Sequence, residues 1–486
     1  MRLRIAAVAT AVAVTIAPLA ACGSTPGGLT HRSAQTAPRS ASRLPYAAAA
    51  STPRVDSMYP AYGDDVVDAL HYKLDLRWMP TTHRLLGRET LVLRAARSSS
   101  VIPLDLSRAL RVRGAWIDGR AVATERSGSH RLRIERRVRA GEVVRLGLSY
   151  AGVPHPVAAP TQRSDTESLG FTPTKNGGAW TMQEPYGAFT WYAVNDEPAD
   201  KAYYDMTLHV PAPMVGIGNG AMVSSSTSGG IRTTRFHLAR PAASYLTTVA
   251  FGRYDRHRLG TVDGVPVTTW TAHGHPYAAA RTRRLPGLLR WLTRRLGRYP
   301  FPTLSIIVVP SASGMETQET ITMGDTQYAL EPENLLHEIS HQWYGDTVTP
   351  NDWRDLWMNE GMAMYAQTLW DDTQGGDPLG SVIGAYSSRD DADRQEWGPP
   401  GAYRRTDFAE DNVYVPPAKM WDTLRRHLGT ATFWRLAGAW PASHAYTSVG
   451  RTTLEDWWSR ESGRDLHAFF TAWLTDNTDP GPNVGF

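Results

Sequence analysis

Two histidines and two glutamates in the second half of the chain have the spacing of a metal site. His337-Glu-Ile-Ser-His341 lies on a helix predicted over 332–344, where residues four apart project from the same face. Two neutral imidazoles placed in this way can hold one tetrahedral Zn²⁺, and Glu360 from a second helix can supply the third ligand. Glu338 lies beside the metal position and can deprotonate an attacking water. The pattern therefore predicts a hydrolytic centre with one Zn²⁺ per chain.

A packing role is the alternative for the two histidines. Their rings would then lie on a partly buried helix face and be satisfied by ordinary hydrogen bonds. Glu338 and Glu360, both in register with the histidines, favour the metal site instead.

The secondary-structure elements that must position these residues fall into two regions with different sequence patterns. From 58 to 254, short runs alternate apolar and polar residues between Gly and Asp-Gly turns, which predicts an antiparallel β saddle or sandwich. From 255 to 486, helical patterns dominate around one short buried strand. The predicted fold class is α+β. The predicted helices span 278–296, 332–344, 356–371, 418–428, 453–459 and 465–474.

The N-terminus has the pattern of a secretory signal peptide. Arg2 and Arg4 precede an apolar run, 5–17, which is followed by Leu19-Ala-Ala-Cys22. This ending resembles a bacterial lipobox, which implies cleavage before Cys22 and diacylation of its thiol. Two acyl chains suffice for stable membrane anchoring. Residues 23–57 are small and polar, which predicts a flexible tether.

We therefore expect an exported protein, lipid-anchored at the outer face of the bacterial cytoplasmic membrane. The alternative is an ordinary signal peptide in which the cysteine is incidental. The position of Cys22 favours lipidation, because the chain has only this cysteine and it falls at the lipobox position.

Composition excludes several other classes. The chain has 486 residues, of which 42% are hydrophobic, enough to build a core and to exclude general disorder. A single cysteine excludes both a disulfide framework and a cysteine-rich zinc module. The net charge is +4, and no basic stripe with interleaved aromatic residues is present, so no nucleic-acid partner is expected. Nothing in the composition indicates an oligomeric state.

Longer stretches around the candidate ligands resemble peptidase family M1, the gluzincin aminopeptidases. The segments 337–346 and 355–361 resemble the zinc site of that family, and Ser313-Gly-Met-Glu-Thr317 resembles its exopeptidase motif G-A-M-E-N. The segment 184–202 resembles the active-site part of the family's N-terminal domain. The resemblance covers about 64–474. It implies an N-terminal β saddle and a thermolysin-like catalytic domain, without the C-terminal helical domain of longer relatives.

The resemblance also implies roles for individual residues. Glu184 and Glu316 would bind the α-ammonium of a substrate, and Gly314 and Met315, of the same motif as Glu316, would also belong to the substrate-binding site. Tyr414 lies in a segment that resembles the catalytic tyrosine run of the family, which implies that its phenol stabilises the oxyanion.

These roles predict an aminopeptidase that acts on peptides with a free N-terminus. Two other readings stay open: a zinc endopeptidase with an open cleft, and a non-catalytic surface binding protein of the same fold. Ser313, Thr317 and Pro416-Pro417 depart from the family pattern. Asp346, Asp355 and Asn359 are candidates for orienting the metal ligands.

Overall fold

The structure, a computed structural model, describes Leu44 and residues 46–166 and 168–486. The predicted signal peptide, Cys22 and the first part of the predicted tether lie outside the described residues. Within the described ranges, no helix is both long enough and apolar enough to cross a membrane.

The alternating runs of the first half form strands, as their period of two predicts. In β1, Val67–Met79, the side chains of Leu74, Leu76 and Trp78 are buried and those between them are exposed. The other strands are β2 Arg84–Ala95, β3 Ile102–Asp105, β4 Leu110–Ile117, β5 Arg120–Ala121, β6 Thr124–Ser127, β7 Arg131–Ile134, β8 Val143–Gly152, β9 Val157–Ala158, β10 Ser168–Pro173, β11 Ala179–Met182, β12 Lys201–Pro211, β13 Val215–Gly218, β14 Ala221–Ser228, β15 Ile231–Ala243 and β16 Val249–Gly252.

These strands form three sheets. The largest has eight strands in the order β14-β15-β12-β1-β2-β8-β4-β5, antiparallel except for the parallel pair β1 and β12. A five-stranded sheet follows the order β13-β16-β11-β10-β9, and a small sheet the order β3-β7-β6. Buried apolar side chains of these sheets form one continuous core.

The second half is mostly helical, with a mixed sheet at its start. Its strands are β17 Tyr254–Val262, β18 Val265–Ala272, β19 Leu304–Val309, β20 Gly314–Met315, β21 Thr320–Gly324, β22 Val348–Pro350 and β23 Thr447–Val449. Its helices are α1 Pro276–Arg281, α2 Leu285–Leu296, α3 Pro332–Ser340, α4 Trp357–Thr373, α5 Leu379–Trp397, α6 Val415–Leu428, α7 Thr430–Ser443, α8 Arg451–Ser462 and α9 His467–Thr475. The chain therefore has the predicted α+β class, a sheet-rich domain followed by a helical one.

The prediction of one continuous helix over 278–296 is wrong, because the structure has two helices there. A single 3₁₀ turn, Thr282–Arg284, separates α1 from α2. Pro286 explains the restart: it has no N–H to continue the first helix, but it fits the first turn of a new one. The sequence patterns also missed α5 and α7 altogether.

Residues 51–59 form a segment, here called the strap, that is hydrogen-bonded to both the sheet-rich first half and the helical second half of the chain. Ser51 N donates to Asp68 Oδ1 in β1 at 2.9 Å. Ser57 N and Oγ donate to the two carboxylate oxygens of Asp352, ahead of α4, at 3.0 and 2.7 Å. The described end of the predicted tether is therefore packed against the protein rather than free in solvent.

Candidate active site

Helices α3 and α4 bring the three predicted zinc ligands together. His337 Nε2 lies 3.2 Å from Glu360 Oε2, and His341 Nε2 lies 3.5 Å from the same oxygen. All three side chains are buried, and their ligand atoms lie within 4.8 Å of one another. Two imidazole nitrogens and one carboxylate oxygen converging on one point are the donor set of a catalytic Zn²⁺ that keeps its fourth position open. The residues present therefore fit the ion.

The other nitrogen of each histidine ring is held by an acceptor. His337 Nδ1 lies 2.9 Å from Gln367 Oε1, and His341 Nδ1 lies 3.1 Å from the carbonyl oxygen of Tyr344. Both acceptors take the proton of Nδ1, so each ring in its neutral form would present the lone pair of Nε2 to a metal. Gln367 follows Glu360 by seven residues on α4, two turns along the same face. That spacing was the signal from which the sequence could have identified Gln367.

The three residues proposed from sequence to orient the metal ligands form hydrogen bonds with other groups instead. The carboxylate of Asp346 accepts from Gln342 Nε2 at 2.6 Å, and that of Asp355 accepts from Arg451 N at 2.9 Å. Asn359 Nδ2 donates to Tyr245 Oη at 3.5 Å. Among the hydrogen bonds of the described residues, none joins these three side chains to a ligand side chain.

The electrostatics of the ligand cluster favour an ionised glutamate. Burial by itself would raise the pKa of Glu360, but the charge and hydrogen bonds of His341 and His337, when their rings are protonated on Nε2, outweigh it and hold that pKa at about 2. The carboxylate is therefore charged at any physiological pH and ready to bind a cation.

Glu338 projects from the same helix toward β20 and lies against Gly314. Burial raises the pKa of Glu338 to about 8, which His341 opposes. The positive charge of a bound metal ion would favour the ionised carboxylate, which is the form that can accept a proton. The structure thus places the predicted base beside the ligand cluster without making it a ligand.

Two further carboxyl groups meet next to the cluster. Oxygen atoms of Glu184, Glu316 and Glu360 lie within 4.8 Å of one another. Glu184 Oε1 and Glu316 Oε1 are buried and accept no hydrogen bond from the described residues. Burial, followed by the neighbouring carboxylate of Glu316, raises the pKa of Glu184 well above its usual range. Buried acceptors without donors are costly, so this pair needs a cationic or hydrogen-bonding ligand.

Tyr414 lies at the entrance of α6, where its ring centroid is 6.0 Å from that of His337. The two prolines that depart from the family pattern fall in the first turn of α6, where proline is tolerated. Pro417 packs directly on Gly361: a Cβ built on that glycine would lie 2.3 Å from Pro417 Cβ. The close approach fixes α6 against α4, next to Glu360.

A cavity of about 190 Å³ connects all of these groups. Gly314, Glu316, Glu338 and Tyr414 line it, whereas Met315 of the same motif is buried and lines the adjoining cavity. Both cavities are also lined by Arg163 and Asp165, from a loop of the first half, which sequence analysis missed. Their segment has ordinary loop composition and no motif, so no local signal could have identified them.

Comparison with known proteins agrees with this geometry. Residues 68–246 match the peptidase M1 N-terminal domain, and residues 288–473 match the peptidase family M1 domain. The chain therefore belongs to peptidase family M1. Family membership and the His-His-Glu cluster together assign it one Zn²⁺.

Two plant relatives illustrate the sequence distance. Aminopeptidase M1-A of Oryza sativa subsp. japonica is 26% identical over 345 residues, 64% of this chain and 38% of the relative. Aminopeptidase M1 of Arabidopsis thaliana is 24% identical over 364 residues, 69% of this chain and 40% of the relative. The chain thus spans about two fifths of the length of these curated relatives.

A bacterial crystal structure matches over nearly its full length. It is a mutant M1 zinc metallopeptidase of Deinococcus radiodurans bound to a Tyr-Ser-Ala substrate, with a TM-score of 0.78 and 26% identity. The match covers 88% of this chain and 99% of that one.

Proposed function

We propose that this chain is a zinc aminopeptidase that hydrolyses the first peptide bond of peptides with a free N-terminus. The observation that carries the proposal is that Glu184 Oε1 and Glu316 Oε1, buried next to the ligand cluster, accept no hydrogen bond from the described part of the chain. An α-ammonium group supplies the positive charge and the donors that these buried oxygens lack. Binding the chain end at a fixed distance from the reaction centre makes the enzyme an exopeptidase.

The residues divide the chemistry between them. His337, His341 and Glu360 would hold the Zn²⁺, which when bound polarises the scissile carbonyl and acidifies water. Glu338 takes the proton from the attacking water and returns it to the leaving amine. The phenol of Tyr414 donates to the carbonyl oxygen as negative charge develops on it. The tripeptide bound by the Deinococcus enzyme supports a short peptide substrate for this fold.

The test is a panel of aminoacyl amides and short peptides, each with a free and an acetylated N-terminus, assayed with and without a chelator. An aminopeptidase cleaves only the free forms and loses activity in the chelator. Glu184→Gln and Glu316→Gln should each raise KM for the free forms, because each removes an anionic partner of the ammonium group.

Other results would select another function. Equal cleavage of the acetylated peptides would identify an endopeptidase. Binding of peptides without turnover by a zinc-loaded protein would identify a non-catalytic binding protein.

We also propose that the protein is anchored to the outer face of the bacterial cytoplasmic membrane through lipidated Cys22. The lipobox-like Leu19-Ala-Ala-Cys22 supports this location. Cys22→Ser should release the protein into the soluble fraction, while Ser24→Ala, two residues away, should leave it bound. A Cys22→Ser protein that stays on the membrane after a high-salt wash would contradict the anchor.

A further inference from the structure

A loop of the sheet-rich first half of the chain, residues 160–165, forms hydrogen bonds with residues 408–410, the segment that leads into Tyr414. Phe408 N donates to the carbonyl oxygen of Pro160 at 2.9 Å. Thr161 Oγ1 and Gln162 N both donate to Glu410 Oε1, each at 2.8 Å. The contacts cross nearly 250 residues of sequence and join the two halves of the protein beside the active site.

Arg163 completes this set of contacts. Its guanidinium donates to both carboxylate oxygens of Asp165, at 2.9 and 2.7 Å, and to the carbonyl oxygen of Ala409 at 2.9 Å. The same group lies over the ring of Tyr414, 5.6 Å from its centroid. A planar fork can make all three kinds of contact at once, whereas an ammonium group cannot.

The segment that is held needs such support. Ala409 has φ = 58°, in the left-handed region that a residue with a Cβ rarely occupies, so surrounding contacts must maintain it. One 3₁₀ turn follows, in which Tyr414 N donates to the carbonyl oxygen of Asp411. Residues 408–410 are therefore joined to Tyr414 by a single turn of backbone.

We propose that residues 160–165 are a clamp and that Arg163 is a positioning residue, which holds the phenol of Tyr414 at the reaction centre. The inference rests on the proposed function, in which that phenol stabilises the oxyanion. The competing role for Arg163 is direct binding of substrate, because its guanidinium lines the cavity.

A double-mutant cycle separates these roles. Arg163→Ala should lower kcat about tenfold or more with KM nearly unchanged, because a small displacement of a catalytic group is costly and acts in the transition state. In a Tyr414→Phe background the same change should lower kcat less than about twofold, because residues that act through one another are non-additive. Zinc content and unfolding temperature are measured for every variant.

Two further variants test the geometry. Arg163→Lys keeps the charge but not the fork and should not restore kcat. Glu410 accepts the hydrogen bonds from Thr161 and Gln162 of the clamp, so Glu410→Ala should give the same kcat loss and the same non-additivity. This second variant tests the clamp even if Arg163→Ala folds poorly. Arg136→Ala is the matched control, since Arg136 forms an ion pair with Glu142 in the β half.

Three results would overturn the clamp. The first is that Arg163→Ala lowers kcat by the same factor in the wild-type and Tyr414→Phe backgrounds. The second is that Arg163→Ala raises KM and leaves kcat unchanged. The third is wild-type kcat for both Arg163→Ala and Glu410→Ala. A Tyr414→Phe variant with wild-type kcat would overturn both the clamp and the assigned role of the phenol, whereas the first three leave that role standing.

Discussion

Glu338 and Gly314 are in contact across the active-site cavity: a Cβ built on Gly314 would lie 2.7 Å from Glu338 Oε1. A side chain there would have to displace the Glu338 carboxyl group and the Met323 sulfur, which would lie 2.8 Å from the same Cβ. Gly314→Ala should therefore displace the base and lower kcat by about 10-fold to 100-fold, since small misplacements of reacting groups are costly. Zinc content should not change, because the ligands are untouched.

Steady-state kinetics and metal analysis check this prediction. Gly384→Ala is the matched control, because a Cβ there meets nothing within 4 Å. Wild-type kcat in the Gly314→Ala variant would show that Glu338 is not the base, or that it moves freely.

Glu360→Gln should lower zinc occupancy, because the site loses a charged ligand whose ionisation the two histidines favour. Occupancy is measured after dialysis against a mild chelator, with Glu396→Gln, exposed on α5, as the control. Stoichiometric zinc in the variant would count against Glu360 as a ligand.

Tyr414→Phe should lower kcat by about 10²–10³, with KM nearly constant, because the lost donor acts mainly on the developing oxyanion. Folding and zinc content should survive the loss of one hydroxyl group. Tyr277→Phe, exposed on α1, is the control for a generic hydroxyl loss. Retention of more than about a third of the wild-type kcat would exclude the phenol as the stabiliser.

Glu89 should make the free energy of unfolding depend on pH. Burial raises its pKa to about 8, although its Oε2 accepts from Ala193 N at 3.0 Å. The folded protein therefore keeps this carboxyl protonated at a pH where the unfolded chain has released the proton. Its contribution to the free energy of unfolding is complete below about 4.5 and is lost as the pH rises toward 8, at up to about 1.4 kcal/mol per pH unit.

Glu89→Gln cannot ionise and should lose less stability than the wild type between pH 5 and pH 8. Denaturant unfolding at several pH values measures the difference. Glu125→Gln is the control, because the side chain of Glu125 is 61% exposed. Parallel stability curves for the wild type and Glu89→Gln would disprove the assignment.

The metal site could be predicted from sequence because helical periodicity alone places His337 and His341 on one face. To predict Glu360 as the third ligand required only one further helix that returns past the first, and α4 is that helix. The strands of the β half were equally accessible, since each carries its own period-two pattern.

Helix α5 could not be predicted because its buried face is not apolar. Asp390, Asp393 and Arg394 are its buried residues, and Arg394 Nε contacts Asp390 Oδ1 at 2.5 Å. Ion pairs replace the hydrophobic stripe by which a helix is detected. Arg163 was missed for a different reason: Ala409 and Tyr414, which it contacts, lie about 250 residues away, and only the tertiary fold brings them together.

The strap has a consequence for the order in which the protein folds. Asp56 accepts from Trp353 N across 297 residues, and Ser57 reaches Asp352 across 295. Residues 51–59 are synthesised early, but their partners ahead of α4 emerge only after most of the chain. Contacts this distant in sequence must close a long loop before they form, and non-local contacts of this kind slow folding. We therefore expect the hydrogen bonds between the strap and the segment ahead of α4 to form late in folding, after the sheets and helices that they join.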